Sequence, residues 1–309
     1  MSLEPQKRLL TRPKRLPGKE EVVTICAAAI NRESESKPAS IIIACDQNLS
    51  LAGGAMSVDG AAWKLRRLNA KWGVMFSGDT SSLFALRDAV MDVAEGMKKV
   101  RIRTFARLCC AAYREERRKI IETDILAKYD IENYAEYLSL KQEHRPLFDA
   151  ITSEIESLQE GWSLLVFGFD DIDEPHIFVI CDYGKIQYCD IEGFAVIGSG
   201  TWAAQTALAA FPFNRYLRLG EAIFSLMSAK FAAEAADGVG RQSALMIFKP
   251  DDGNRSIPGV LATAFEKHRE AWKKLPRIPD GAAQTLERDM EQIKPFRVKL
   301  PRRKKHRAV

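Results

Sequence analysis

The chain has 309 residues, of which 46% are hydrophobic and 28% are charged, a composition typical of a globular protein. No apolar run reaches the roughly 18–20 residues that span a bilayer, and the basic first residues lack the apolar centre of a signal peptide. Six cysteines without a CxxC pair and four separated histidines indicate neither a disulfide framework nor a zinc site. We therefore expect a cytoplasmic protein that makes no use of a membrane, a metal or an organic cofactor.

The net charge of +5 is concentrated at the two ends of the chain. Residues 1–23 have a balance of +3 and residues 294–309 carry eight Lys/Arg and no acid, which leaves about −6 for the body. Residues 1–21 contain three prolines and no sustained period, so we interpret them as a flexible basic leader. Residues 276–309 are interpreted as a basic C-terminal tail. Both segments are either solvated or an electrostatic arm for an acidic partner or nucleic acid.

The first part of the body is predicted to contain strands and then helices. Four short apolar runs predict two antiparallel strand pairs, at residues 22–30, 41–45, 64–68 and 72–77. Glycines at 53, 54 and 60 predict a loop between the pairs. Apolar residues then recur at three- and four-residue steps from Leu83 to Met97, which predicts an amphipathic helix. The charged stretch of about 104–158 has no strand-like run and is predicted to be helical throughout.

The second part of the body repeats this block order. Four strands are predicted at 163–169, 176–183, 185–190 and 193–200, followed by helices at 201–211 and 219–236, a strand at 244–248 and a helix at 259–274. His176, which follows Pro175 in a predicted turn, is interpreted as a surface residue. Because strands and helices occur in separate blocks, the pattern favours an α+β fold over alternating βαβ units. No Gly-rich phosphate loop follows a strand to open a helix, so a nucleotide fold has no support.

Five segments carry a resemblance to a known family: VTICAAAI, IIIACDQNLSLAGG, WKLRRL, GVMFSGD and FAVIGSGTWAAQTALAAF. In this order the chain resembles proteasome β-type subunits and bacterial proteasome-like proteins, which are N-terminal-nucleophile hydrolases. The similarity covers roughly residues 22–100 and 162–250. It implies a four-layer αββα sandwich of two antiparallel sheets between helices, in a domain over 22–275 with a helical insertion at about 104–158. It also implies assembly into a homo-oligomer.

The resemblance also implies a catalytic mechanism. In this family a threonine freed at the N-terminus attacks the substrate carbonyl, and its own α-amine, with an ordinary pKa of about 7.7–8.0, accepts the proton. A lysine favours the neutral amine, an aspartate holds the lysine, and a backbone amide stabilises the oxyanion. The matching positions are Thr24 (nucleophile), Asp46 (aspartate), Lys64 (lysine), Gly78 (oxyanion amide), Ser199 (support of the amine) and Asp237 (a further supporting carboxylate).

Several residues depart from the family pattern or admit a second interpretation. Val23 precedes Thr24 where active members usually have glycine or a single initiator Met, and Gly240 stands where many members have serine. An alternative alignment puts Val23 itself at the nucleophile position, which implies a dead site. Asp46 and Lys64 also fit an ordinary buried ion pair, and Ser199 fits the cap of a following helix.

Three functional hypotheses follow from these observations. The leading hypothesis is a threonine-type hydrolase that cuts amide bonds in a peptide or protein substrate after removal of the leader. The alternative is a catalytically inactive proteasome-like scaffold that assembles into oligomers and binds a partner through its basic tails. A third hypothesis, nucleic-acid binding through residues 294–309, predicts an affinity that falls steeply with salt.

Overall fold

The computed structural model describes most of the chain between residues 24 and 291. The described residues are 24–46, 48–51, 56–59, 64–69, 71–78, 80–96, 101–158, 161–210, 213–236, 239–250, 255–257, 269 and 281–291. Within these ranges no helix is long and apolar enough to cross a membrane. All six cysteines lie in described segments and are free thiols.

The described residues form twelve strands and seven α-helices. The strands are β1 (Cys26–Asn31), β2 (Ser40–Asp46), β3 (Asn48–Leu51), β4 (Met56–Asp59), β5 (Leu65–Arg67), β6 (Trp72–Ser77), β7 (Ser163–Phe169), β8 (Pro175–Cys181), β9 (Lys185–Tyr188), β10 (Phe194–Ile197), β11 (Ser243–Phe248) and β12 (Arg255–Ile257). The helices are α1 (Thr80–Glu95), α2 (Ile102–Ile120), α3 (Tyr134–Glu143), α4 (Arg145–Ser157), α5 (Thr201–Ala210), α6 (Leu219–Ala233) and α7 (Ala282–Glu291). A π-helical turn (Ile121–Ile125) and a 3-10 turn (Leu126–Tyr129) follow α2.

Two five-stranded antiparallel sheets form the centre of the molecule. The first has the strand order β10-β1-β2-β11-β12 and the second has the order β5-β6-β7-β8-β9. A separate hairpin, β3-β4, lies between β2 and β5 in sequence. The α+β class and the sandwich of two antiparallel sheets with helices, predicted from the sequence, are therefore confirmed.

Side-chain alternation along the strands explains the layers, because successive residues of a strand point to opposite faces of its sheet. In β1, Cys26 and Ala28 pack between the two sheets, whereas Ala27 and Ala29 pack against α5, α6 and α7. The central strands of the second sheet divide in the same way between the inter-sheet core and a core with α1 and α2. Three apolar cores thus separate four layers. Since both faces of the central strands are covered, their sequences are nearly continuous apolar runs.

The helical insertion differs from its predicted extent. The first half of α2 belongs to the outer layer of the second sheet, since Phe105, Cys109 and Tyr113 are buried in the core that this sheet shares with α1. Only the part after α2 forms a unit of its own, with a separate apolar cluster that includes Ile121, Leu126 and Ile151. The exposed face of α2 is charged, as is the segment that follows it. Composition alone therefore did not distinguish the helix that packs on the sheet from the separate unit after it.

Four elements and one residue differ from the sequence interpretation. The predicted loop after β2 contains the β3-β4 hairpin, and β12 was not predicted. Within the predicted tail 276–309, α7 buries Leu286 and Met290 in the core beside α6. His176 is 6% exposed as the second residue of β8, so its prediction as a surface residue was wrong. The helix predicted at 259–274 lies outside the described residues except for Arg269, and both charged ends lie outside them as well.

Candidate functional site

The carboxylate of Asp46, the last residue of β2, is the centre of a buried polar cluster. Its side chain is fully buried, and four donors from distant parts of the chain converge on it. Oδ1 accepts hydrogen bonds from the Thr24 hydroxyl at 2.9 Å, the Ile25 amide at 2.9 Å and the Lys64 ammonium at 2.7 Å. Oδ2 accepts one from the Gly240 amide at 3.2 Å. A buried charge with this number of donors meets the usual requirement for pairing and hydrogen bonding.

Strand register brings Thr24 and Asp46 together. In the antiparallel pair β1-β2, Cys26 lies opposite Cys45, and the Asp46 amide donates a hydrogen bond to the Ile25 carbonyl at 3.1 Å. The end of β2 therefore lies beside the residues that precede β1. Thr24, the first described residue, is itself buried, with 3% of its surface exposed.

Lys64 supplies the positive charge of the cluster. It directly precedes β5, and its side chain is only 5% exposed beside the fully buried Asp46. The Nζ atom of Lys64 and the Oγ1 atom of Thr24 are both hydrogen-bonded to the same Asp46 oxygen, Oδ1. The sequence interpretation of Asp46 and Lys64 as a plain ion pair thus omits the third member, the Thr24 hydroxyl.

The main-chain nitrogen of Thr24 faces a second group, the hydroxyl of Ser199. The Thr24 nitrogen donates to Ser199 Oγ at 3.3 Å, and that hydroxyl also lies 3.5 Å from the Thr24 carbonyl oxygen. Ser199 is placed between β10 and α5 by Gly198, whose φ of +109° is disfavoured for residues with a side chain. A Cβ atom on Gly198 would lie 2.1 Å from the Thr24 carbonyl oxygen, so only glycine allows this approach.

Gly78 lies at the same end of the sandwich, directly after β6. The thiol of Cys26, two residues after Thr24, is 3.7 Å from the carbonyl oxygen of Phe76, two residues before Gly78. Gly78 has a φ of +151°, and a Cβ atom there would lie 2.9 Å from Cδ1 of Trp162. A hydrogen bond with Cys45 and burial raise the pKa of the Cys26 thiol well above its ordinary value, so this thiol stays neutral.

The structure thus brings together Thr24, Asp46, Lys64 and Ser199 by direct contacts and places Gly78 at the same end of the sheets. Asp237 and Val23 lie outside the described residues. Sequence reasoning missed the amides of Ile25 and Gly240 as donors to Asp46. It counted Gly240 as a departure from the family pattern, because the identity of a residue does not reveal whether its main-chain amide donates a hydrogen bond.

Both hydrogen-bond donors of Thr24, its hydroxyl and its main-chain nitrogen, are engaged. Its hydroxyl is oriented by Asp46, and its nitrogen is oriented by Ser199. Burial of Lys64 and Asp46 keeps their charges close to these atoms in surroundings where electrostatic interactions are stronger than in water.

Comparison with known proteins bears on the fold. No protein-family model and no curated protein sequence matches the chain. A similar solved structure is that of Anbu, as a (Gly-1) mutant, from Hyphomicrobium sp. strain MC1, with a TM-score of 0.55 and 16% sequence identity. The match covers 89% of this chain and 100% of that chain. At this identity the likeness shows the fold alone, a proteasome-like sandwich of two antiparallel sheets with helices.

Proposed function

We propose that this chain is a threonine-type N-terminal-nucleophile hydrolase that cuts amide bonds in peptides or proteins once residues 1–23 have been removed. The observation that supports it best is the pair of contacts at Thr24: its hydroxyl on the Asp46-Lys64 pair and its nitrogen on Ser199. The mechanism needs these two atoms oriented together, because one attacks while the other takes the proton.

Removal of the first 23 residues would convert the Thr24 nitrogen from an amide into an amine. An α-amine with an ordinary pKa near 7.7–8.0 is a suitable general base at neutral pH. The positive charge of Lys64, which binds the same Asp46 oxygen as the Thr24 hydroxyl, favours the neutral form of that amine. Ser199 would then orient the amine through the contact it already makes with the nitrogen.

Two further residues complete the proposed mechanism. The amide of Gly78 would donate to the oxyanion that forms when Thr24 attacks a carbonyl, a type of contact that lowers the barrier by about 3–4 kcal/mol in other hydrolases. Asp237 follows the last residue of α6 by four positions and would support the amine together with Ser199. Proposed partners are a peptide or protein substrate and further copies of this chain in a homo-oligomer.

The test is a chain that begins at Thr24, released from a cleavable N-terminal fusion so that catalysis does not depend on self-processing. We expect it to hydrolyse fluorogenic peptide amides, with turnover abolished by Thr24→Ala and largely kept by Thr24→Ser. Lys64→Met should reduce the rate by a factor of about 10² or more, since it removes the charge that favours the neutral base. The alternative of an inactive scaffold predicts no turnover from any of these forms.

A further inference from the structure

A second buried cation, Lys230 of α6, lies close to the candidate site but outside the proposed mechanism. Every residue of α6 from 222 to 231 is buried, and the Lys230 side chain is completely so. Its Nζ donates to Glu234 Oε1 at 2.6 Å and to the carbonyl oxygens of Gly240 and Arg241, each at 2.8 Å. A lysine ammonium has three donors, and all three are used here.

Arg269 closes the same cluster from another part of the chain. Its Nη2 lies 3.1 Å from Glu234 Oε1 and 2.5 Å from the carbonyl oxygen of Arg241. Its guanidinium also lies 4.7 Å from the centre of the Phe231 ring. Two cations thus share one carboxylate that is 7% exposed, and both donate to the same short piece of main chain.

That piece of main chain is the one that contacts Asp46. Gly240 accepts a hydrogen bond from Lys230 through its carbonyl and donates one to Asp46 Oδ2 through its amide. The residue is therefore fixed between the buried lysine on one side and the candidate catalytic carboxylate on the other. Burial lowers the pKa of Lys230 while Glu234 opposes that change, and the Asp46 charge acts on Lys230 in the same direction as Glu234.

Such a cluster is a costly way to stabilise a core. Apolar residues of similar volume often pack as stably as a buried ion pair or better, because burying the charges costs free energy. The residues next to Lys230 are apolar, and although the last turn of a helix favours a cation, that preference does not require a fully buried one. The Lys230 ammonium supplies directed hydrogen bonds to the consecutive carbonyls of Gly240 and Arg241. These bonds fix the position of the Gly240 amide, which donates to Asp46.

We propose that Lys230, Glu234 and Arg269 are positioning residues that hold the Gly240 amide on Asp46 Oδ2. With Oδ2 occupied and the carboxylate plane fixed, Oδ1 is directed at the Thr24 hydroxyl and the Lys64 ammonium. This role rests on the proposed function for its catalytic consequence, although the held geometry itself is independent of turnover.

The test measures hydrogen exchange by mass spectrometry on peptides that cover residues 239–243 of the full-length chain. Lys230→Met and Glu234→Gln are compared with Ser228→Ala, which removes a buried hydroxyl of the same helix whose hydrogen-bond partner among the described residues is the Phe224 carbonyl. We expect exchange at 239–243 to become about tenfold faster in the first two variants and to stay unchanged in the third. Exchange within α6 should stay unchanged in all three.

A second readout links the cluster to catalysis. In the form that begins at Thr24, Lys230→Met should lower kcat about tenfold with little change in KM, because the completely buried Lys230 side chain cannot reach a substrate. If that form shows no activity even as wild type, the proposed function fails while the exchange result still decides the positioning role. Should Lys230→Met not fold, Glu234→Gln, which keeps the lysine, decides it. Unchanged exchange at 239–243 in the folded variants, or an equal change in Ser228→Ala, would overturn the proposal.

Discussion

The ammonium of Lys64 lies 2.7 Å from Oδ1 of Asp46, and neither side chain is more than 5% exposed. Each partner of a pair buried to this degree compensates part of the free-energy cost of burying the other. The Thr24 hydroxyl shares the same carboxylate oxygen, so the state of this pair bears directly on the proposed nucleophile.

Removing one member of the pair should destabilise the protein strongly. We expect Lys64→Met to lower the free energy of unfolding by about 3–5 kcal/mol, because Asp46 would stay buried without its cation. The double variant Asp46→Asn/Lys64→Met should cost less than the sum of the two single variants, since the residues are in contact. Urea unfolding measures all three. Asp149→Asn is the matched control, because the Arg145-Asp149 pair is about half exposed and should change stability by less than about 1 kcal/mol.

A side chain at Gly198 should disrupt the site itself. Gly198→Ala forces a residue with a Cβ into a φ of +109° and places that atom 2.1 Å from the Thr24 carbonyl oxygen. Gly161→Ala separates the two effects, because Gly161 also has a positive φ, +66°, but nothing within 4 Å of the added atom. We expect about 1 kcal/mol of destabilisation from Gly161→Ala and at least 2 kcal/mol more from Gly198→Ala, together with loss of any turnover. Equal effects of the two substitutions would show that the contact with Thr24 is unimportant.

The buried His176 should make stability depend on pH. Its Nδ1 lies 2.7 Å from Asp190 Oδ2 and its Nε2 lies 3.4 Å from Asp170 Oδ2. The hydrogen bond with Asp190 raises the pKa of His176, against the opposing effects of burial and of Arg103. Because the folded state holds the proton more tightly, the stabilisation is complete below the unfolded pKa of about 6.5 and is lost as pH rises through the folded pKa.

The measurement compares wild type with His176→Asn by urea unfolding at a series of pH values from about 5.5 to 9. The stability advantage of the wild type should decline with rising pH over this range. Asp190→Asn should remove most of that decline, since Asp190 is the main cause of the raised pKa. An advantage that grows with pH would contradict the assignment of a protonated histidine.

The folded domain should depend on α7, which lies beyond the predicted domain boundary at 275. Leu286 is 4% exposed and packs in the same core as α6. We expect Leu286→Ala to cost about 2–4 kcal/mol through lost burial and the cavity left behind. Arg288→Ala on the exposed face of the same helix should cost less than about 0.5 kcal/mol. Thermal unfolding of the two variants side by side distinguishes a packed helix from a dispensable tail.

The strands and the polar residues at their ends were predictable because both follow from local pattern. β2 ends where an apolar run meets Asp46, and β6 ends directly before Gly78, so both residues could be placed at strand ends, while their proposed roles came from the family resemblance. The elements that were missed have weak local patterns. α7 buries few apolar residues amid charges, and the hairpin β3-β4 is too short for a clear alternation of apolar and polar residues.

The Lys230 cluster was missed for a different physical reason. A single lysine in the apolar run AIFSLMSAKFAA is a visible signal of a buried charge, and its ion-pair partner Glu234 follows four positions later. Its other partners are the main-chain carbonyls of Gly240 and Arg241, and Arg269, 39 positions away, joins the cluster through Glu234 and the Arg241 carbonyl. Contacts of this kind depend on how α6 packs against the first sheet, and sequence spacing does not encode them. The same holds for the Gly240 amide on Asp46.

The central claim is that Thr24 becomes the N-terminal residue and acts as the nucleophile. Its most direct test is the intact mass of the full-length chain after expression in its native host, beside a Thr24→Ala variant. A wild-type mass that corresponds to a chain beginning at Thr24, with the variant left at full length, is the predicted result. Full-length mass as the only species in both would contradict the claim, because the α-amine that serves as the base would never form.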